Sequence, residues 1–272
     1  MSALRYSILD PTGNITALVE ESVLPEEQPA AAAELMARYP AVEQVGFVRF
    51  AAGADGTNAA LRMAGGEFCG NASMCAAALV RLREPKSAPR ERVLLQVSGA
   101  AESVEVTLRE TGAACFEAGV RMPRAQEILA REFCFENLRG MLTLVKMQGI
   151  SHLLIDRASC FFSLMEDRKA AERAVRVWCA ELGAEGLGLM FWEKGNPGRL
   201  TPLVYVPGSG TVFWENSCAS GSSALGMALA ESAGEPRELT LREPGGSLRV
   251  LSEPGAGETW LIGTVRLIRE YG

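Results

Sequence analysis

Apolar residues recur along this chain with two periods, one typical of strands and one typical of helices. In the first half, short strand patterns surround one helical pattern. The predicted segments are residues 6–9, 15–20, 29–39, 44–50, 61–64, 93–97 and 103–108, of which 29–39 is the helix. After Pro123 the composition changes, and strands alternate with a long amphipathic helix at residues 169–182. We therefore expect an α/β chain with a boundary near Pro123.

One short segment occurs twice. The first copy is residues 67–73 (EFCGNAS), and the second is residues 215–222 (ENSCASGS). Each copy continues into a pattern that is apolar nearly all round, and then into a hairpin whose turn is 97–100 (VSGA) or 243–247 (EPGGS). A helix without a polar face is typical of one that other structure encloses. We therefore expect two similar halves, each with a curved sheet around a central helix.

Composition excludes several classes of protein. The 272 residues include 27 Lys and Arg against 33 Asp and Glu, and the net charge of −6 argues against a nucleic-acid partner. No apolar run approaches the roughly 18 residues that a membrane span needs. The N-terminus lacks the apolar core of an export signal, and the seven cysteines lack the spacing of a disulfide framework. These features favour a cytoplasmic location.

The residues for metal or nucleotide chemistry are scarce. His152 is the single histidine and there is no C-x-x-C pair, so we expect no zinc, iron or copper site. The phosphate-binding and dinucleotide-binding glycine motifs do not occur in the sequence. None of the lysines stands in a setting that favours a Schiff base. We therefore expect chemistry without a metal or a cofactor.

Cys69 and Cys218 occupy the same place in the two copies, at the junction of a predicted strand and a predicted helix. The unpaired N–H groups of a first helical turn stabilise a nearby anion by about 0.3–1 kcal/mol, and they hold carboxylates. Thiols at such positions have pKa values of about 3.5–7.5. A thiolate base and a thiol acid on opposite faces of one carbon remove and return the Cα proton of an amino acid. The pattern therefore predicts amino-acid racemisation.

The other candidate residues have simpler interpretations. Free cysteine is among the most buried residue types, so the remaining five are interpreted as core residues; they are Cys75, Cys115, Cys134, Cys160 and Cys179. A redox role for Cys69 and Cys218 is the competing hypothesis, and their wide separation in sequence disfavours it. His152 in an apolar strand is typical of a hydrogen-bonded structural histidine. Gly245-Gly246 is typical of a tight turn.

Five blocks stand in a fixed order and cover most of the chain. They are residues 11–14 (PTGN), 43–47 (EQVGF), 66–74 (GEFCGNASM), 214–218 (WENSC) and 244–247 (PGGS). In this order they resemble the cofactor-independent superfamily of diaminopimelate epimerases and proline racemases. Within it, the chain looks most like the histidine racemases that make D-histidine for staphylopine-type opine metallophores. A lone C-G-N would be a weak signal, whereas five ordered blocks are a specific one.

The resemblance implies the diaminopimelate epimerase-like fold, with the active site in the cleft between two pseudo-symmetric halves. The halves would be residues 1–123 and 124–259, with a C-terminal strand at about 260–272 returning to the first half. It further implies a racemase that is independent of pyridoxal phosphate and forms a homodimer.

The resemblance also assigns site residues. It makes Cys69 and Cys218 the acid/base pair, and around the bound amino acid it places Asn14, Gln44, Gly70, Asn71, Glu215, Ala219 and Ser220. His152 falls in the place of the histidine of a G-N-P-H segment, of which the Asn and Pro are replaced here. Glu43 matches the histidine racemases and is expected to accept a hydrogen bond from an imidazole N–H. The alternative for Glu43 is a solvated carboxylate at the end of a strand.

The departures from the superfamily concern the substrate. Diaminopimelate epimerases carry a Glu-Arg pair before the second cysteine, but residues 209–213 (SGTVF) contain no cation. A second substrate carboxylate would therefore be left unpaired. Ala72 and Met74 replace a Gly and an Arg, which makes the expected pocket wall more apolar. We therefore expect a histidine racemase, with diaminopimelate or another amino acid as the alternative substrate and non-catalytic amino-acid binding as the alternative function.

Overall fold

The computed structural model describes residues 4–50, 56–84, 91–208, 210–255 and 257–271. The chain divides into two compact units. The first unit consists of Met1–Met122 together with Leu261–Gly272, and the second consists of Pro123–Trp260.

The helices and strands follow one another along the chain as follows. The first are β1 (Tyr6–Pro11), β2 (Thr16–Val19), α1 (Gln28–Arg38), β3 (Gln44–Phe50), β4 (Ala59–Met63), α2 (Gly70–Arg83), β5 (Arg92–Val97), β6 (Val104–Gly112) and β7 (Cys115–Arg121). They are followed by β8 (Glu127–Phe135), β9 (Leu138–Met147), β10 (Ile150–Asp156), a 3₁₀ helix (Cys160–Met165), α3 (Arg168–Leu182), β11 (Leu187–Glu193), β12 (Gly198–Val206), β13 (Thr211–Trp214), α4 (Ala219–Ala233), β14 (Arg237–Glu243), β15 (Gly246–Ser252) and β16 (Thr259–Tyr271).

The sheet of the first unit closes on itself. Strands β1 to β7 lie side by side in chain order, and β16 fills the gap by pairing with both β7 and β1. The resulting eight-stranded barrel surrounds α2, in which every residue from Gly70 to Val80 is buried. An enclosed helix needs no polar face, which explains its nearly uniform small and apolar sequence. The expected curved sheet around a central helix is confirmed here.

The second unit has a helix on each face of its sheet. Its strand order is β15-β14-β12-β11-β10-β9-β8, with β13 also paired to β12. On one face, Trp178 of α3 is fully buried and meets Phe133, Phe135 and Phe161 edge to face. On the other face lies α4, of which ten residues are buried. Side chains alternate along β10, so Leu153 packs with the α3 core and His152 points to the α4 side.

The hydrophobic pattern located several elements closely. β3 has the predicted bounds, and α3 begins one residue before the predicted helix. The strand predicted at residues 61–64 is instead β4 at Ala59–Met63, because small alanines at its start gave little hydrophobic signal. No helix among the described residues combines the length and the apolar character needed to cross a membrane.

The interpretation of all five remaining cysteines as core residues is wrong for two of them. Cys75 and Cys179 are buried and Cys115 is half-buried, whereas Cys134 and Cys160 are exposed. Cys134 lies on the outer face of the β8–β9 hairpin, and Cys160 begins the 3₁₀ helix at the surface. Small size permits burial of cysteine but does not require it.

Candidate active site

Cys69 is the N-cap residue of α2. Its backbone is extended, and its Sγ accepts the N–H of Ala72 at 3.4 Å. The sulfur thus occupies the place that a serine or aspartate oxygen usually takes at a helix start. The hydroxyl of Ser73 donates to the carbonyl oxygen of Cys69 at 2.8 Å and secures the same turn. A negative charge on this sulfur would face the positive end of the helix.

Neutral amide side chains surround Cys69. The thiol donates to Oε1 of Gln44 at 3.0 Å, and Nε2 of Gln44 donates to Oγ1 of Thr16 at 2.8 Å and to Oδ1 of Asn14. The same Asn14 oxygen accepts from Nδ2 of Asn71 at 3.2 Å. The first unit therefore brings together Asn14, Gln44, Cys69 and Asn71, four residues predicted from the sequence.

Glu43 is tied to this amide network. It directly precedes β3 and is half-buried, and its Oε2 accepts from Nδ2 of Asn14 at 2.6 Å. A carboxylate held in this way has a defined direction, unlike a solvated carboxylate at the end of a strand.

Cys218 is the N-cap residue of α4, but its surroundings are different. Its Sγ lies 3.7 Å from the hydroxyl oxygen of Ser220, and the Glu215 side chain and the Gly221 N–H interact with it. Its backbone N–H donates to Oε2 of Glu243 at 2.7 Å. Burial, together with the negative charges of Glu215 and Glu243, raises the pKa of the Cys218 thiol well above its usual range.

The helix start therefore does not lower the pKa of Cys218, and this suits the protonated acid that the two-base hypothesis requires. The helix-end effect is worth about 1 kcal/mol or less. Burying the thiolate and placing it near the acidic Glu215 and Glu243 destabilises it. This penalty exceeds the stabilisation that the helix end provides. Cys218 consequently holds its proton in the ligand-free protein.

Sequence reasoning missed Glu243. This residue ends β14, is buried, and accepts hydrogen bonds from the Cys218 backbone and from the hydroxyl of Ser222. Burial raises the pKa of its carboxyl group to about 8. The repeat contained a signal, because Glu243 stands in the second hairpin where the first has the apolar Val97. A carboxyl group at a position that is apolar in the other copy indicates that a hydrogen-bond donor lies near it.

His152 is fully buried, and neither ring nitrogen has a hydrogen-bond partner among the described residues. The prediction of a hydrogen-bonded structural histidine is therefore wrong. Burial lowers the pKa of the imidazole to about 3, so the ring is neutral near pH 7. A β-carbon added at Gly188, on the neighbouring strand β11, would lie 2.4 Å from Nδ1 of His152. The glycine leaves the space that the ring uses.

Met190 links this region to the start of α4. Its methyl group lies 2.6 Å from the position of a β-carbon at Gly188, and its sulfur lies 2.1 Å from that position at Gly221. The Gly221 position is also 3.2 Å from Sγ of Cys218. Gly221 therefore allows the first turn of α4 to pack closely against Met190 beside the thiol.

The other predicted residues lie in the same two local groups. Gly70 follows Cys69 in the first turn of α2, while Ala219 and Ser220 follow Cys218 in α4. Ala72 and Met74 are fully buried inside the first unit.

Of residues 209–213, Ser209 lies outside the described residues. Within the described part of the chain, no group of three His, Cys, Asp or Glu is placed to hold a metal ion.

Known proteins share this architecture. The structure of a hydroxyproline epimerase from Agrobacterium vitis, with bound trans-4-hydroxy-L-proline, aligns with a TM-score of 0.64. The alignment covers 99% of this chain and 91% of that chain, at 15% sequence identity. The likeness shows that this chain has the same fold, and here a cysteine stands at the start of each buried helix.

The family follows from the sequence comparisons. Residues 3–265 match the family model "Histidine racemase CntK N-terminal domain". The chain is also 29% identical to a histidine racemase of Fusobacterium nucleatum, over 99% of this chain and 97% of the relative. It is 27% identical to a histidine racemase of Staphylococcus aureus, over 92% of this chain and 89% of the relative. The chain belongs to the histidine racemase family.

Proposed function

We propose that this protein interconverts L- and D-histidine by two-base proton transfer at Cα, with Cys69 and Cys218 as the two bases and without a cofactor. The observation that carries the proposal is the duplicated placement of a cysteine as N-cap of a buried helix. Membership of the histidine racemase family supports the choice of substrate.

The proton balance requires the two sulfurs to start in opposite states. One thiolate takes the Cα proton, so that the C–H bond breaks and an S–H bond forms. The other thiol gives its proton to the opposite face of the same carbon and becomes the thiolate. The protonated Cys218 suits the second role at the start of a turnover.

Charge moves from Cα onto the substrate carboxylate during this transfer. The first-turn N–H groups of α2 and α4 are donors suited to a carboxylate. A donor of this kind stabilises developing negative charge by roughly 2.7–4 kcal/mol. Such donors replace the electron sink that a cofactor would supply.

Recognition of the side chain is assigned to Glu43. Its carboxylate is oriented by Asn14 and provides acceptors for an imidazole N–H. The described residues between 210 and 213 carry no cation for a second substrate carboxylate. Both features favour histidine over diaminopimelate.

The test is incubation of the reduced protein with L-histidine in D₂O. We expect D-histidine to form with deuterium at Cα, and replacement of either Cys69 or Cys218 by Ser to lower the rate at least about a hundredfold, because proton transfer by a placed group contributes that much. A panel of other L-amino acids and LL-diaminopimelate serves as the substrate control. If deuterium entered Cα of another amino acid of the panel but not that of histidine, the other amino acid would be assigned as the substrate. Ligand-induced thermal stabilisation without any exchange would indicate a binding protein.

We further infer a cytoplasmic homodimer that supplies D-histidine for an opine-type metallophore. The cysteine content, which lacks the spacing of a disulfide framework, supports the compartment. Light scattering coupled to size exclusion measures the subunit number, and a mass of 29.1 kDa would contradict the dimer.

A further inference from the structure

The two helix starts differ in how a serine one turn later is used. Ser73 and Ser222 each stand four residues after the cysteine. Ser73 donates to the carbonyl oxygen of Cys69, whereas Ser222 donates to Oε1 of Glu243. The start of α4 therefore depends on a carboxyl group from another element, and the start of α2 does not.

Among the described residues, the groups that act on the charge of Glu243 are acidic or neutral, and none is a cation. Glu243 is only 3% exposed. The charge that acts on it comes from Glu215, in the segment before α4, while α4 contributes the Cys218 N–H and the Ser222 hydroxyl. Arg242, its neighbour on β14, is exposed on the opposite face of that strand. The residue that pairs with Glu243 on β15 is Gly246, which has no charged side chain.

We propose that Glu243 is a positioning residue that holds the backbone of Cys218 at the start of α4 and opposes ionisation of the Cys218 thiol. Two contacts carry the proposal, namely the 2.7 Å hydrogen bond to the Cys218 N–H and the bond from Ser222. The burial of all three groups strengthens their electrostatic coupling.

The two acids titrate as a coupled pair. The Glu243 carboxyl has a pKa of about 8, whereas burial and nearby acidic groups raise the pKa of the Cys218 thiol well above its usual range. The carboxyl group therefore ionises first, and its charge then makes loss of the thiol proton harder. Below pH 8 the carboxyl group is neutral and has little effect on the thiol. Above pH 8 it preserves Cys218 as a proton donor.

The effect of Glu243 on the Cys218 thiol does not depend on the proposed function. Its consequence for catalysis rests on that function. With Cys218 as acid, a loss of its proton at alkaline pH would leave two thiolates and no donor. Glu243 would therefore extend activity toward alkaline pH.

The test measures Cys218 without any substrate. Iodoacetamide alkylation of Cys218 in the ligand-free, full-length protein is followed by peptide mass mapping between pH 6 and pH 10. We expect Glu243→Gln, which keeps the shape and one acceptor, to match the wild type below pH 7 and to react about tenfold faster at pH 9, since one pKa unit changes the thiolate fraction tenfold. Glu238→Gln, an exposed carboxylate of the same strand, is the matched control and should follow the wild type.

Ser222→Ala is the second variant, and it keeps the proposal testable if Glu243→Gln does not fold. Loss of the hydroxyl removes a donor that lowers the pKa of Glu243, so the carboxyl group stays neutral to higher pH. We expect faster alkylation of Cys218 at pH 9, in the same direction as Glu243→Gln but smaller. Ser73→Ala, the equivalent change in the first unit, should leave the Cys218 profile unchanged.

Two outcomes would overturn the proposal. Superimposed profiles for folded Glu243→Gln and wild type would show that the charge does not act on the thiol. A change by one constant factor at every pH would reduce Glu243 to a structural role. Racemisation of L-histidine by the same preparations is measured separately, so failure of the proposed function and failure of this inference are distinguishable.

Discussion

His152 and Glu243 are buried ionisable residues whose pKa values move in opposite directions for the same reason. Burial penalises the charged form, which lowers the pKa of the histidine to about 3 and raises that of the glutamate to about 8. Both side chains are therefore neutral between about pH 3 and about pH 8. They belong to the α4 side of the second unit, where Cys218 is also buried and protonated.

The neutral His152 predicts loss of stability in acid. Its pKa is 6.5 in the unfolded chain and about 3 in the folded protein, so the unfolded state alone binds the proton between these values. The stabilisation is thus complete above pH 6.5 and is lost as the pH falls toward 3. Between pH 7 and pH 5, the free energy of unfolding measured with urea should fall in both proteins. We expect the fall to be about 2 kcal/mol smaller for His152→Leu than for the wild type. Equal losses in the two proteins would contradict a neutral buried imidazole.

At the scale of elements, the start of α4 depends on a close approach. Gly221 lies against Met190 and the Cys218 sulfur, so the helix can reach this position only without a side chain there. The repeat indicated where both helices begin, because small residues follow both cysteines. It did not indicate what each first turn would contact, since those contacts come from strands distant in sequence.

The substitution Gly221→Ala should shift the start of α4. Its new β-carbon would lie 2.1 Å from the sulfur of Met190, a distance that requires movement of the helix or of the methionine. We expect a loss of stability of about 1–3 kcal/mol, typical of overpacking, and a lower racemisation rate. A double variant with Met190→Ala should recover part of that rate, because the shorter side chain gives space. Absence of recovery in the double-mutant cycle would place the effect elsewhere.

At the scale of the molecule, the first unit is completed by the end of the chain. β16 pairs with β1 in antiparallel register, from Tyr6 with Tyr271 to Pro11 with Val265, and it also lies beside β7. The closed barrel is what permits α2 to be apolar on all sides. Without β16, two strand edges and part of this helix would face water.

Removal of residues 261–272 should therefore unfold the first unit. Hydrogen exchange measured by mass spectrometry should show protection lost throughout α2 and retained in α3, whose core lies within the second unit. As a control, Ile268→Ala changes an exposed side chain of β16 and should leave both helices protected. Full protection of α2 in the truncated chain would contradict a barrel that depends on β16.

The sequence by itself determined the class of fold, the two helix-start cysteines and the amide residues that belong with Cys69. The fold class and the two cysteines are encoded in local periods and in the repeated segment. The amide residues Asn14, Gln44 and Asn71 were assigned only through the resemblance of the five ordered blocks to a known family. The tertiary structure alone decided that Cys69 meets neutral amides whereas Cys218 meets Glu243. It also decided that His152 is buried with no hydrogen-bond partner in the part of the chain that the structure describes. Acidity depends on burial and on charges within a few ångströms, and strands far apart in the chain supply both.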